Sequence, residues 1–290
     1  MILNYIHWNP DPEIINVFGI SIRYYGLLFV SGIIIAIYLL TWIFKRENIP
    51  SENLEKLTIY GMIGIIAGAR LGHCLFYEPS YYLAHPLEMI LPVAFPPEGG
   101  VKFIGYQGLA SHGGVLGLLI GLYVYSRKTK HSMIDILDLI AVVVGVSLGF
   151  IRLANFMNSE IIGMPTTKPW GVFFERVDDL PRHPAQLYEA ISYFVIFVIM
   201  MILYLKMRDR LKNGILFGLA TVLFFMARFI IEFLKEDQVG FEKGMTFNMG
   251  QLLSLPYIVV GIGFIIYGFW RTKKLSAQHL ASNQAYASNA

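Results

Sequence analysis

The sequence predicts an all-α integral membrane fold of seven transmembrane helices, N-terminus outside and C-terminus cytoplasmic, with structured outer loops. Three observations carry that prediction. The chain is 56% hydrophobic and only 15% charged, against about 25% charged residues in an ordinary soluble domain. Seven apolar windows are each long enough to cross a hydrocarbon core of about 30 Å. Four clusters of Lys and Arg alternate with connections of mixed charge, as the preference for basic residues on the cytoplasmic side requires.

Taken in order, the windows are residues 24–44, 57–76, 109–126, 133–152, 187–205, 214–233 and 249–270. The first and last contain no charge. A polar lead, Asn9-Pro10-Asp11-Pro12-Glu13, precedes the first window without a basic segment or small-residue cleavage site, so that window reads as a retained helix. The basic clusters are Lys45, Arg46 and Lys56; Arg127, Lys128 and Lys130; Lys206, Arg208, Arg210 and Lys212; and Arg271, Lys273 and Lys274. Placing all four in the cytoplasm puts the N-terminus outside, and an odd number of spans agrees.

Residues 1–274 are expected to form one membrane domain that includes long outer loops at 78–108 and 153–186. Residues 275–290, rich in Ser, Asn, Ala and Gln, lack apolar periodicity and are expected to be a disordered cytoplasmic tail. The net charge of +3 is dispersed in short clusters, which excludes a broad nucleic-acid surface. The single cysteine, Cys74, excludes an intrachain disulfide and a multi-cysteine metal site. Its neighbour His73 points about 100° away around a helix, so a buried small residue is the preferred reading of Cys74.

Ionisable groups inside a bilayer cost several kcal/mol unless paired or hydrated, so their positions carry information. In this orientation most lie towards the outer ends of the spans: Tyr25, Arg70, His112, Arg152, Asn155, His183, Glu189, Arg228, Glu232, Asn248 and Gln251. Such a band describes a hydrated cavity open to the outer leaflet. Each arginine taken alone divides evenly between structure and function, and Arg228 and Glu232 stand at i and i+4, where a salt bridge is available. Three arginines with only Glu189 and Glu232 nearby leave positive charge for another partner, and phosphate fits the guanidinium fork. His112 is either a hydrogen-bonded helix-end group or a proton-transfer group. Asp135 and Asp138, at the inner end of the fourth window, read as a helix N-terminal turn.

Five segments now stand in a telling order. They are Gly68-Ala69-Arg70-Leu71-Gly72, Ser111-His112-Gly113-Gly114, Arg152-Leu153-Ala154-Asn155-Phe156-Met157-Asn158-Ser159-Glu160 followed by Gly163, His183-Pro184-Ala185-Gln186-Leu187-Tyr188-Glu189, and Arg228-Phe229-Ile230-Ile231-Glu232. With Tyr24-Tyr25-Gly26-Leu27 before them and Met249-Gly250-Gln251 after, the chain resembles the prolipoprotein diacylglyceryl transferase family over nearly its whole length. The resemblance implies a bacterial inner-membrane enzyme with its site towards the outer leaflet. It would move the diacylglyceryl group of phosphatidylglycerol to the lipobox cysteine thiol of a preprolipoprotein and release glycerol phosphate. No metal or organic cofactor is implied; the partners are phosphatidylglycerol, the lipobox peptide and the bilayer. A lipid or anion transporter is the alternative, and a noncatalytic scaffold a third class.

By matching position, the resemblance assigns His112 as base or proton shuttle and Arg152 and Arg228 as the phosphate-binding pair. Tyr25, Arg70, Asn155, Glu160, Gly163, Gln186, Glu189 and Glu232 become headgroup or supporting positions. Four residues depart from the family pattern: Ser111 stands where an aromatic is common, Ala154 and Ser159 where glycines are usual, and Phe224 where a tyrosine is expected.

Overall fold

The computed structural model describes residues 5–17, 20–91, 93–96, 99–103, 108–236 and 246–288. The expected loop 78–108 therefore lies partly outside the described residues. Two compact units form, one from Met1–Trp42 with Ile134–Ala290 and the other from Ile43–Met133.

Nine α-helices are described: α1 Tyr24–Arg46, α2 Ser51–Phe76, α3 Pro79–Ala84, α4 Pro86–Ile90, α5 Ser111–Thr129, α6 Met133–Met157, α7 Ala185–Met207, α8 Ile215–Glu232 and α9 Met249–Ser288. Six are long and apolar enough to cross a membrane: α1, α2, α6, α7, α8 and the Met249–Lys274 part of α9. The third window is helical as α5, but it is not among the six. Its four glycines, His112 and its basic end at Arg127 and Lys128 dilute its hydropathy.

The chain is mostly helical, consistent with an all-α membrane protein. Among the described residues, seven short strands, of which the apolar windows gave no warning, build three small sheets. β1 (Ile6–Trp8) pairs in parallel with β6 (Val172–Phe174), which pairs antiparallel with β7 (Pro181–Arg182). β2 (Glu13–Val17) with β3 (Ile20–Arg23), and β4 (Val93–Ala94) with β5 (Lys102–Phe103), form hairpins. The helix α9 runs on to Ser288, where the sequence expectation is a disordered tail. Elongating an existing helix needs no new nucleus, and Ala, Gln and Leu in that stretch favour it.

In the Ile43–Met133 unit, α2 and α5 approach along glycine faces. A methyl at Gly68 would overlap the carbonyl of Gly113, and one at Gly117 would overlap the carbonyl of Gly64. Small residues at such a crossing bring backbones into van der Waals contact, the main attraction available between helices in lipid.

In the other unit, the end of α6 is pinned by a small apolar core of Phe156, Ile162, Val172 and Phe174, against which Trp8 and Leu187 pack. Trp8 Nε1 donates to the Phe156 carbonyl at 3.0 Å, so the polar lead is tied to the last turn of α6. At the opposite end of α6, Asp138 is fully buried. It does not serve the first turn of its own helix. Gly214 N–H and Phe217 N–H donate to its two carboxylate oxygens, both at 2.8 Å, so it caps α8 across the bundle. Gly214 itself has φ +95°, a conformation that suits glycine. Asp138→Ala strips two charge-assisted bonds from buried donors and is expected to cost about 2–3 kcal/mol. An unchanged thermal midpoint in detergent would refute this cap.

Candidate active site

Arg152 and Asn155 lie in the last turns of α6, Gln186 and Glu189 in the first turns of α7, and Arg228 and Glu232 in the last turns of α8. Glu189 is fully buried and is the junction of the group. Its Oε2 lies 3.0 Å from Arg152 Nε, an ion pair whose N–H is not aligned for a hydrogen bond. Its Oε1 accepts from Lys235 Nζ at 2.9 Å. Lys235 also donates to Glu232 Oε2 at 3.1 Å and is itself buried. Sequence reasoning passed over Lys235. Its only signal was a basic residue three positions after Glu232, just beyond the last apolar turn.

The far side of Arg152 is held through amides. Arg152 Nη1 donates to Asn155 Oδ1 at 3.3 Å, and Asn155 Nδ2 donates to Glu160 Oε2 at 3.1 Å. Asn158 Nδ2 donates to Glu160 Oε1 at 2.7 Å, and Gln186 Nε2 donates to the Glu160 carbonyl at 2.6 Å. Arg152, Asn155, Glu160, Gln186 and Glu189 are thus one connected network, as their grouping in the sequence anticipates.

The turn that makes this possible passes through Ser159 and Ile161, both at φ +56°. Left-handed backbone costs a non-glycine residue roughly 1–2 kcal/mol, which accounts for the glycine usual at the Ser159 position. Ser159 Oγ accepts from Arg176 Nη2 at 3.1 Å, a local compensation. Gly163 is needed for close approach: a methyl there would meet the His183 and Leu234 carbonyls at 2.5 and 2.7 Å. Around it Arg182 ties the loop together, pairing with Asp178 and Glu236 and donating to the Gly163 carbonyl at 3.1 Å. The Arg182 guanidinium holds the Asp178 carboxyl below its usual range. Burial, then Lys168, lowers the His183 pKa, favouring the neutral ring that meets Tyr188 Oη at 3.0 Å.

Arg228 is half-buried, and its Nε has no hydrogen bond among the described residues. The i,i+4 bridge to Glu232 that the sequence allows is not among the described ion pairs, because Glu232 turns to Lys235. Gly250 at the start of α9 leaves the room that the Glu232 carboxyl occupies. Asn248 and Gln251 are spent on capping α9: Gln251 N–H donates to Asn248 Oδ1 at 2.9 Å, and Asn248 N–H to Gln251 Oε1 at 3.1 Å. Tyr25 stands half-buried in the first turn of α1.

Phe224, where a tyrosine is expected, packs edge-on against Tyr193 of α7 with ring centroids 5.4 Å apart. Its para carbon lies 3.1 Å from where a Cβ at Gly145 would stand, so the glycine gives the ring room on that side. Tyr193 Oη lies 3.4 Å from Glu189 Oε1 and within electrostatic range of both Arg152 and Arg228.

Arg70 and His112 belong to the Ile43–Met133 unit. Arg70 is buried and donates to the Glu88 and Met89 carbonyls at 2.5 and 3.2 Å and to Tyr82 Oη at 3.4 Å. It clamps the α3–α4 segment onto α2, a supporting task rather than an open anion site. His112 is exposed in the first turn of α5, at a pocket of about 440 Å³ with Phe76, Tyr77 and Leu116. Cys74 is buried. No three His, Cys, Asp or Glu side chains converge as cation ligands among the described residues.

A family model described as prolipoprotein diacylglyceryl transferase matches residues 12–267. A Bacteroides fragilis protein named phosphatidylglycerol–prolipoprotein diacylglyceryl transferase is 55% identical over 262 residues, covering 90% of this chain and 95% of the relative. Proteins of the same name from Tolumonas auensis and Porphyromonas gingivalis are 43% and 41% identical, covering 89% and 90% of this chain and 95% and 94% of their own lengths. With the Arg152 network standing on the segments that carry the likeness, the chain belongs to the prolipoprotein diacylglyceryl transferase family.

Proposed function

We propose that this protein transfers the diacylglyceryl group of phosphatidylglycerol to the lipobox cysteine thiol of a preprolipoprotein, forming a thioether and releasing glycerol phosphate. The observation that carries the reading is the charge arrangement around Glu189. Lys235 occupies Glu232 and shares Glu189 with Arg152, which leaves the Arg228 guanidinium without a carboxylate partner among the described residues, while both guanidiniums act electrostatically on the same Tyr193 hydroxyl. Two guanidiniums so placed suit the two free oxygens of a phosphodiester.

In the reaction the cysteine sulfur attacks the glyceryl carbon that bears the phosphate. The S–C bond forms as that carbon's C–O bond breaks, and the electron pair leaves on the glycerol phosphate oxygen. Negative charge on the phosphate rises along the way; Arg152, held by Glu189 and Asn155, and Arg228 stabilise it. A thiol of pKa about 8.5 is mostly protonated near neutrality, so a base must take its proton, a task that the family resemblance gives to His112. Glu160, Asn155, Gln186 and Glu189 hold Arg152; Arg70 holds the α3–α4 segment. The protein sits in the bacterial inner membrane with seven spans, α5 being the seventh, N-terminus outside, C-terminus cytoplasmic and site towards the outer leaflet. The transporter alternative is not favoured, because the similar proteins are named as transferases.

Purified protein with phosphatidylglycerol and a lipobox peptide is expected to yield thioether-lipidated peptide and free glycerol phosphate in equal amounts. Absence of both products, with a Bacteroides fragilis relative active under the same conditions, would overturn the reading.

A further inference from the structure

Resting on that reading, we propose that Tyr193 is a positioning residue of the transfer site, its phenol holding the Glu189 carboxylate and, with it, the Arg152 guanidinium. The placement is specific. Tyr193 follows Glu189 by one helical turn on α7, so its ring and the carboxylate share a face. The side chain is buried, and the ring is braced edge-on by Phe224 from α8. Its O–H donates to Glu189 Oε1 at 3.4 Å, the oxygen that also receives Lys235 Nζ. Arg152 approaches the opposite oxygen, Oε2, off the axis of its N–H.

The rotation of the Glu189 carboxylate therefore decides where Arg152 points, and two donors on Oε1 set that rotation. With the phenol removed, Lys235 alone holds Oε1, and a flexible ammonium fixes direction less well than a rigid ring does. Ground-state attraction for an anionic headgroup survives this loss, because both guanidiniums keep their charge. What suffers is the alignment that matters as charge develops on the leaving phosphate, so the effect falls on turnover rather than on lipid affinity. Phe224 takes no part in this chemistry itself. Its ring braces Tyr193, which carries the hydroxyl of the pair.

The test is Tyr193→Phe in the full-length protein, assayed beside the parent, whose own activity decides the functional reading independently. Expected are a kcat lowered about tenfold to a hundredfold, the loss typical of a bond to a charged group, a KM for phosphatidylglycerol within about twofold and an unchanged thermal midpoint. The same substitution in a Glu189→Gln background is expected to cost at most about twofold, since coupled residues are non-additive. Should Glu189→Gln turn over too slowly to measure, Asn155→Ala, which loosens the other end of Arg152, serves as the second background, again with a less than additive loss expected. Parental kcat in Tyr193→Phe, a loss matched by a fall in midpoint, or full additivity in the measurable background would overturn the proposal.

Discussion

Arg152→Ala is expected to lower turnover at least about a hundredfold, roughly 3 kcal/mol of lost transition-state stabilisation. The side chain is charged, largely buried and held at both ends, by Glu189 on one side and Asn155 on the other. Its orientation is therefore set before substrate arrives, which is the condition under which an electrostatic contact acts on the barrier. Removing it leaves Glu189 with Lys235 as counter-ion, so the fold survives and the effect is readable as kinetics. Arg152→Lys is expected to recover little. A single ammonium cannot face Glu189 and Asn155 together and still present a flat pair of donors to phosphate. Single-turnover transfer to a lipobox peptide, with thermal midpoints as control, measures both variants. Turnover of the alanine variant within about threefold of the parent would remove Arg152 from the chemistry.

How much of this was legible beforehand follows from the range of each interaction. Helices in lipid are set by local apolarity, so six windows reappear as helices fit to span, and the seventh as a helix short of apolar residues. The strands were not legible, because each has two to five residues and its partner can be remote, as Ile6 is from Val172. The Arg152 to Glu160 network was legible because its residues are sequence neighbours, and Gln186 and Glu189 lie one turn apart on α7.

Position along a helix was legible where partners were not. Arg70 sits in a helix facing its own loop, and only the folding of α3 and α4 brings the Glu88 and Met89 carbonyls to it. Asp138 showed as a carboxylate near a helix start, yet the helix it caps is α8, 76 residues further along the chain. Asn248 and Gln251 showed as polar groups at a membrane depth, and their reciprocal cap is a local motif that the three-residue spacing already contained. Lys235 escaped because a basic residue beyond an apolar window resembles an interfacial anchor, and nothing local distinguishes an ammonium that turns inwards from one that snorkels.

That ammonium supports the second large effect. Lys235→Ala leaves Glu189 with Arg152 as its counter-ion but takes from the buried Glu232 its cation among the described residues. Uncompensated buried charge costs about 3–5 kcal/mol, and the thermal midpoint is expected to fall accordingly. An exposed pair gives the contrast: Lys212 meets Asp209 at 2.8 Å with both side chains largely solvated, so Lys212→Ala should leave the midpoint nearly unchanged. Adding Glu232→Gln to Lys235→Ala is expected to recover much of the loss, since the orphaned charge is then neutral. The kinetic consequence is separate from stability. A Glu232 released from Lys235 stands one turn from Arg228 and becomes its nearest carboxylate, taking up the guanidinium that would otherwise meet the phosphodiester. Lys235→Ala should therefore raise KM for phosphatidylglycerol even where the protein remains folded, and Glu232→Gln should lower it again. An unaltered KM together with an unaltered midpoint would mean that Lys235 is not the counter-ion that keeps Arg228 available.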